Sequence, residues 1–315
     1  MNILVFGKDG QLGRAFQSQF WQSRFEIGNA IRFVGRNDCD LCNTVQITAL
    51  LEDFKPHLII NAAAYTAVDK AELNSDIAFA VNAIAPGVMA NYAAKHGATF
   101  IHFSTDYVFN GAKDDVYIEV DKTDPLSVYG KSKEEGEIAI TNAFSESCNQ
   151  SGQYAILRTS WVYGDGGNFI RSILRLAKER SALRVIDDQF GVPTSAIWLA
   201  DLVLNLVLED SQLRRFSSGI YHAVPLGKTN WHGIACLAVK AAMDFGWKLQ
   251  TPLNQITPIP ASEYPLPAPR PMNSRLSRKK LELELNHLGI MSKLPHWNTP
   301  WDEQVCAYIK QLDAN

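Results

Sequence analysis

Gly7-Lys8-Asp9-Gly10-Gln11-Leu12-Gly13 stands between an apolar run, Asn2–Phe6, and a stretch of helical periodicity, Gln11–Gln22. Its position decides the fold. A glycine turn that leads from a buried strand directly into a helix is the phosphate-cradling corner of an open α/β sheet. Gly7 permits the tight turn, and Gly10 lets the backbone approach a pyrophosphate. Gly13 allows helix and strand to pack closely, while the free N–H groups of the helix N-terminus face the anion. The spacing is Gly-x-x-Gly-x-x-Gly, one residue longer than Gly-x-Gly-x-x-Gly.

The pattern continues outward from this corner. Ile31–Val34, Leu58–Asn61, Thr99–Ser104 and Tyr154–Leu157 are short apolar runs, as expected for strands buried on both faces of a parallel sheet. Val45–Phe54, Asp76–His96 and Val128–Phe144 read as the helices between them. Strand alternating with helix predicts an α/β fold, a Rossmann-like doubly wound parallel sheet. Beyond residue 160 the helical segments Phe169–Arg180, Ile197–Leu208 and Trp231–Phe245 are separated by Gly- and Pro-containing loops. Prolines crowd Thr251–Pro271, which excludes helix and central strand there and predicts an extended loop or wrap. We therefore expect a cofactor-binding Rossmann domain over 1–160 and a smaller C-terminal, mainly substrate-binding domain over 161–315. Within the latter, the stretch near 195–230 is expected to pack back on the Rossmann domain.

Composition bounds the function. The 315 residues carry 30 Lys+Arg against 33 Asp+Glu, a net charge of −3, without the basic excess of a general nucleic-acid binder. No run approaches the roughly 20 apolar residues that span a bilayer, and the N-terminus lacks the basic flank of a signal peptide. Five cysteines, an odd number, do not form a disulfide framework, so a reducing cytoplasm is the expected compartment. Cys39 and Cys42 form a Cys-x-x-Cys without nearby partners for a zinc site, and read as plain thiols.

The end of the second strand reads the adenosine ribose in such sheets. A carboxylate there would bind a 2′-hydroxyl and favour NAD. This chain has Gly35-Arg36-Asn37 instead. The planar fork of Arg36 suits a 2′-phosphate, so NADPH is the expected cofactor, with Asp38 and Asp40 keeping NADH open.

Tyr129 and Lys133 lie four residues apart in a helical segment, on one helix face. A nearby ammonium lowers a phenol's pKa towards the range where it exchanges protons at neutral pH. Ser104-Thr105-Asp106 ends a predicted buried strand, where ligands of open α/β sheets bind. A hydroxyl there can reach the same substrate oxygen as the tyrosine.

With these motifs in place, the whole chain resembles the extended short-chain dehydrogenase/reductase superfamily. Within it, the chain is similar to the dTDP-4-dehydrorhamnose reductase family. The resemblance runs through Gly7–Gly13, Asn61–Glu72, Ser104–Phe109, Tyr129–Lys133, Arg158–Tyr163, Gln189–Thr194 and Arg270–Ser274, in family order. It implies that Gly10, Gln11, Leu12 and Gly13 hold the pyrophosphate, that Asp40 and Leu41 contact adenine, and that Ala64, Tyr65 and Thr66 line the cofactor groove. It makes Thr105, Tyr129 and Lys133 the catalytic triad, with Lys133 also on the nicotinamide ribose. Trp161 packs in the sugar-nucleotide pocket beside Thr105 and Asp106, and Arg270 meets the substrate diphosphate. The implied reaction is reduction of the C4 ketone of a dTDP-linked 4-keto-6-deoxy sugar, for cell-surface polysaccharide. A homodimer is compatible with it.

Two departures narrow the reading. Some relatives bind magnesium through a Glu shortly after the glycine loop, where this chain has Ala15; Ser195-Ala196-Ile197 also lacks an acid, so no metal is expected. Related dehydratases carry Thr-Asp-Glu at the active strand, whereas Asp106 is followed here by Tyr107, which favours simple reduction. The same superfamily includes a non-catalytic regulatory subunit and epimerases of other nucleotide sugars, and these are the alternatives.

Overall fold

The structure is a computed structural model and describes residues 1–22, 30–209 and 212–313. The chain opens with β1 (Asn2–Phe6), α1 (Gln11–Gln22), β2 (Ala30–Val34), α2 (Thr44–Phe54) and β3 (Leu58–Asn61). Two short helices, α3 (Val68–Ala71) and α4 (Ser75–Phe79), lead through a π turn at Ala80–Ile84 into α5 (Ala85–His96) and β4 (Thr99–Thr105). Then come α6 (Val128–Glu146) and β5 (Gln153–Thr159). The single helix read over Asp76–His96 is thus interrupted. Pro86, near the start of α5, has no N–H to continue the preceding ladder.

β6 (Val162–Tyr163), α7 (Phe169–Glu179), β7 (Leu183–Ile186), β8 (Phe190–Gly191) and β9 (Thr194–Ser195) follow. Next are α8 (Ala196–Val207), the pair β10 (Leu208–Glu209) and β11 (Gln212–Leu213), β12 (Gly219–His222) and β13 (Thr229–Asn230). α9 (Trp231–Asp244), β14 (Ile256–Ile259), α10 (Lys279–His287) and α11 (Trp301–Asp313) complete the described chain.

The main sheet is all parallel, in the order β12-β5-β4-β3-β1-β2. Its strand order reverses between β1 and β3, which opens a crevice at their carboxyl ends. Ile3, Leu4, Val5 and the whole of β3 are buried, because helices cover both faces. α1, α8 and α10 cover one face; Phe16, Leu199, Leu202 and Leu281 meet Ile3, Val5 and Ile60 there. α2, α5 and α6 cover the other through Ile47, Met89 and Ile140. Ser75–His96 is, among the described residues, the one helical run long and apolar enough to cross a membrane, at a mean hydropathy of 1.4 over its most apolar window. Its apolarity is that of a core helix, packed between α2 and α6.

The rest of the chain builds smaller apolar clusters around α7, α9 and α11. The proline-rich run holds a short strand after all: β14, with Pro258 inside it, pairs parallel with β7. A two-stranded sheet offers the edge position where proline's missing N–H does no harm.

Candidate active site

A cleft of about 580 Å³ lies over the carboxyl ends of β1 and β3. Gly7, Gly10, Gln11 and Leu12 form its floor, Arg36, Asp40 and Leu41 one end, and Ala64, Thr66, Tyr129 and Lys133 a wall. Gly7 adopts a φ of 88°, and a Cβ there would stand 2.7 Å from the Ala63 nitrogen. Gly13 lies outside the lining. A Cβ on it would fall 2.0 Å from the Gly7 carbonyl oxygen, so it serves the turn by close packing. Tyr65 also lies outside the lining; its backbone N–H donates to Asn82 Oδ1 at 2.8 Å and its carbonyl accepts from Asn82 Nδ2 at 3.1 Å. Asn82 Nδ2 donates also to Ser132 Oγ at 3.0 Å, which ties the groove wall to α6.

These residues fit a dinucleotide. The Gly10 position keeps only the Gly7 carbonyl near a would-be Cβ, at 3.4 Å, so a phosphate can approach the backbone. Asp38 is engaged elsewhere: its Oδ2 accepts from Lys8 Nζ at 2.6 Å and from the Gly35 N–H at 2.7 Å. Cys39, read as a plain thiol, is buried at the end of the cleft that Asp40 and Leu41 line. Ala15 packs into the α1–α8 core. Among the described residues no group of three or more His, Cys, Asp or Glu side chains could hold a metal ion.

α6 places the tyrosine and lysine. Ser127 caps it by accepting from the Gly130 N–H at 3.1 Å, and Glu72 Oε1 accepts from the Val128 N–H at 2.8 Å. Gly130 lets the helix approach the strand end, since a Cβ there would meet the Tyr107 carbonyl oxygen at 2.3 Å. Thr105, the last residue of β4, accepts from the Tyr107 N–H at 3.2 Å and donates to Asp106 Oδ1 at 3.0 Å.

Charge placement differs from the expectation for Tyr129. Burial pushes its phenol up to about 12, against the pull of the Thr105 hydroxyl. Lys133 does not offset this, because its amine is turned to the Phe103 carbonyl at 2.6 Å and to His102 Nε2 at 3.0 Å. Burial lowers Lys133 to about 8, with Glu137 pulling the other way. Burial also pushes the Asp106 carboxyl up to about 6, against the pull of the Ser274 and Thr105 hydroxyls. His102 was not among the residues singled out from the sequence.

Trp161, expected on the substrate side, has a φ of 49°, a region costly for a bulky side chain and frequent at ligand clamps. Its ring stacks on Trp231 with centroids 3.9 Å apart. Gly191 leaves room for it, since a Cβ there would come within 2.7 Å of the indole. A second, smaller apolar cavity lies here, bounded by Trp161, Phe169, Pro193 and Trp231. Arg270 does not stand open. Its Nη1 and Nη2 donate to the two oxygens of Asp69 at 2.7 and 2.8 Å, and the ion pair holds the Asp69 carboxyl below its ordinary range.

The model of the family described as "RmlD substrate binding domain" matches residues 1–312. A dTDP-4-dehydrorhamnose reductase of Burkholderia thailandensis is 39% identical over 301 residues, 94% of this chain and 95% of that protein. A crystal structure of a dTDP-4-dehydrorhamnose reductase from Clostridium acetobutylicum superposes with a TM-score of 0.84 at 33% identity, covering 99% of this chain and 100% of the other. A dTDP-4-dehydrorhamnose reductase from Bacillus anthracis in complex with NADP gives a TM-score of 0.82 at 28% identity, over 98% and 99% of the two chains.

Proposed function

The chain belongs to the RmlD substrate-binding-domain family, and from that premise we infer that it is an NADPH-dependent oxidoreductase. It reduces the C4 ketone of dTDP-4-dehydro-β-L-rhamnose to give dTDP-L-rhamnose for cell-surface polysaccharide. The observation that carries this reading is the meeting of a glycine-floored cleft with Tyr129 and Lys133 in its wall and Thr105 at the adjoining strand end. NADPH, when bound, supplies the hydride. Residues 1–160 supply most of the cofactor cleft and 161–315 most of the substrate side. The five free thiols suit a reducing cytoplasm.

Each side chain has a task. Tyr129 is the general acid: burial keeps its proton on the phenol until charge develops on the C4 oxygen, which then takes it. Thr105, whose proton is directed to Asp106 Oδ1 in the cofactor-free site, can turn its hydroxyl to the same C4 oxygen. Lys133, freed from the Phe103 carbonyl, meets the ribose and offers charge to the phenolate that remains. Gly10, Gln11 and Leu12 hold the pyrophosphate, and Arg36 reads the 2′-phosphate. Trp161 presents an aromatic face to the sugar nucleotide. No acid follows Asp106, so water elimination has no second carboxylate at this strand end.

The test is NADPH oxidation followed at 340 nm with dTDP-, UDP- and GDP-linked 4-keto-6-deoxy sugars. Turnover confined to the dTDP sugar is the expected result. Oxidation independent of any keto sugar, or none with the dTDP sugar, would overturn it.

A further inference from the structure

Asn61 and His102 face one another as register partners across β3 and β4, and both are fully buried. The Ala63 N–H can only donate, and it meets Asn61 Oδ1 at 3.2 Å. That contact orients the carboxamide, so Asn61 Nδ2 is the group facing His102 Nδ1 at 3.1 Å. An NH₂ group donates, so Nδ1 accepts. Burial, the larger cause, pushes His102 well below its ordinary pKa, so the ring is neutral and carries its one proton on Nε2.

That proton points at Lys133 Nζ, 3.0 Å away, while Nζ itself donates to the Phe103 carbonyl at 2.6 Å. An ammonium has three donors and no lone pair, so it would set N–H against N–H at Nε2. Moving the ring proton to Nδ1 transfers the same conflict to Asn61. Turning Asn61 transfers it to the Ala63 amide, which cannot change. A neutral amine satisfies every contact at once.

We propose that His102, fixed in its Nε2–H tautomer by Asn61 and the Ala63 amide, is a positioning residue that biases Lys133 towards the neutral amine in the cofactor-free enzyme. The inference rests on the reading of Lys133 as the ribose ligand and partner of Tyr129. The neighbouring groups support it. Glu137 draws Lys133 towards the charged form, but its carboxylate is already held by Arg158, at 2.9 Å from Nε and 2.6 Å from Nη2. The Tyr129 phenol is uncharged at neutral pH. The lowering of Lys133 to about 8 agrees with the geometry. Since the amine must become an ammonium to serve the phenolate, cofactor binding above that pH takes up a proton.

Two measurements test this. In ¹⁵N spectra of the cofactor-free protein, the His102 ring is expected to show a protonated Nε2 and a bare Nδ1 between pH 8.5 and 9.5. A protonated Nδ1, or an imidazolium, would overturn the proposal, whatever the protein's substrate. Calorimetric titration of NADPH in two buffers of different ionisation enthalpy reads the proton uptake. In the parent, affinity should fall about tenfold between pH 8.5 and 9.5, one proton per site. His102→Gln, whose amide oxygen can accept from an ammonium, should fall less than twofold. An equal fall in both proteins would overturn the proposal. Failure of NADPH to bind at all would sink the reductase reading, and the tautomer measurement would still judge His102.

Discussion

Glu137→Gln probes the ion pair that underlies the active-site helix. Glu137 and Arg158 are 4% and 3% exposed, and their fork-to-fork contact spans 2.6 and 2.9 Å. The Arg158 guanidinium also lies 5.0 Å from the centre of the Phe109 ring, so its other face meets apolar surface. Replacing the carboxylate strands a desolvated cation. Breaking a buried pair in this way costs about 3–5 kcal/mol, and the amide oxygen of Gln retains one contact, so we take about 3 kcal/mol. Against a total stability of about 5–15 kcal/mol that is a large fraction. At about 2–4 °C per kcal/mol it lowers Tm by about 6–12 °C. Urea melts at pH 7 with m held equal give the same quantity directly. A loss under about 1 kcal/mol would show that the pair is solvated and contributes as a surface contact does. The double variant Glu137→Met/Arg158→Met should recover most of the loss, because neither charge is then left unpaired.

Three further outcomes follow from the same structure. Arg36→Ala should reduce kcat/KM for NADPH about tenfold and leave NADH unchanged, since one exposed charge-assisted contact is worth about 1.5 kcal/mol; an equal loss with both cofactors would make Arg36 a support of the loop. Asp106, pushed up to about 6 by burial, holds its proton more tightly folded than unfolded, so its favourable contribution is present below pH ~4 and lost as pH rises through 6. Asp106→Asn should therefore gain stability relative to the parent across that window in urea melts, and a flat difference would remove the buried carboxyl from the account. Gly13→Ala, which sets a Cβ 2.0 Å from the Gly7 carbonyl oxygen, should weaken NADPH binding in a fluorescence titration together with stability, whereas unchanged values in both would show that the turn can give.

The legible parts of this protein are those whose information is local. Strands buried on both faces read as unbroken apolar runs, so Asn2–Phe6 and Leu58–Asn61 coincide with β1 and β3. The glycine turn and the Tyr129–Lys133 spacing lie within single segments, and they line one cleft. What escaped is non-local. β6, β8, β9 and β13 are two residues long and have no periodicity to read. His102 and Asn61 meet through strand register, Lys133 joins them from α6, and Asp69 holds Arg270 across 201 positions of sequence. A buried histidine at the centre of an apolar run, Ile101-His102-Phe103, was the one signal available beforehand. The downward effect expected of Lys133 on Tyr129 also depended on where the amine points, which spacing alone does not determine.

Tyr129→Phe tests the central claim most directly. Single-turnover reduction of dTDP-4-dehydro-β-L-rhamnose should slow by about 10²–10⁴ when the general acid is removed, while NADPH affinity stays within about twofold of the parent. A variant that turns over at the parent rate would contradict the assignment of Tyr129 as the proton donor to the C4 oxygen.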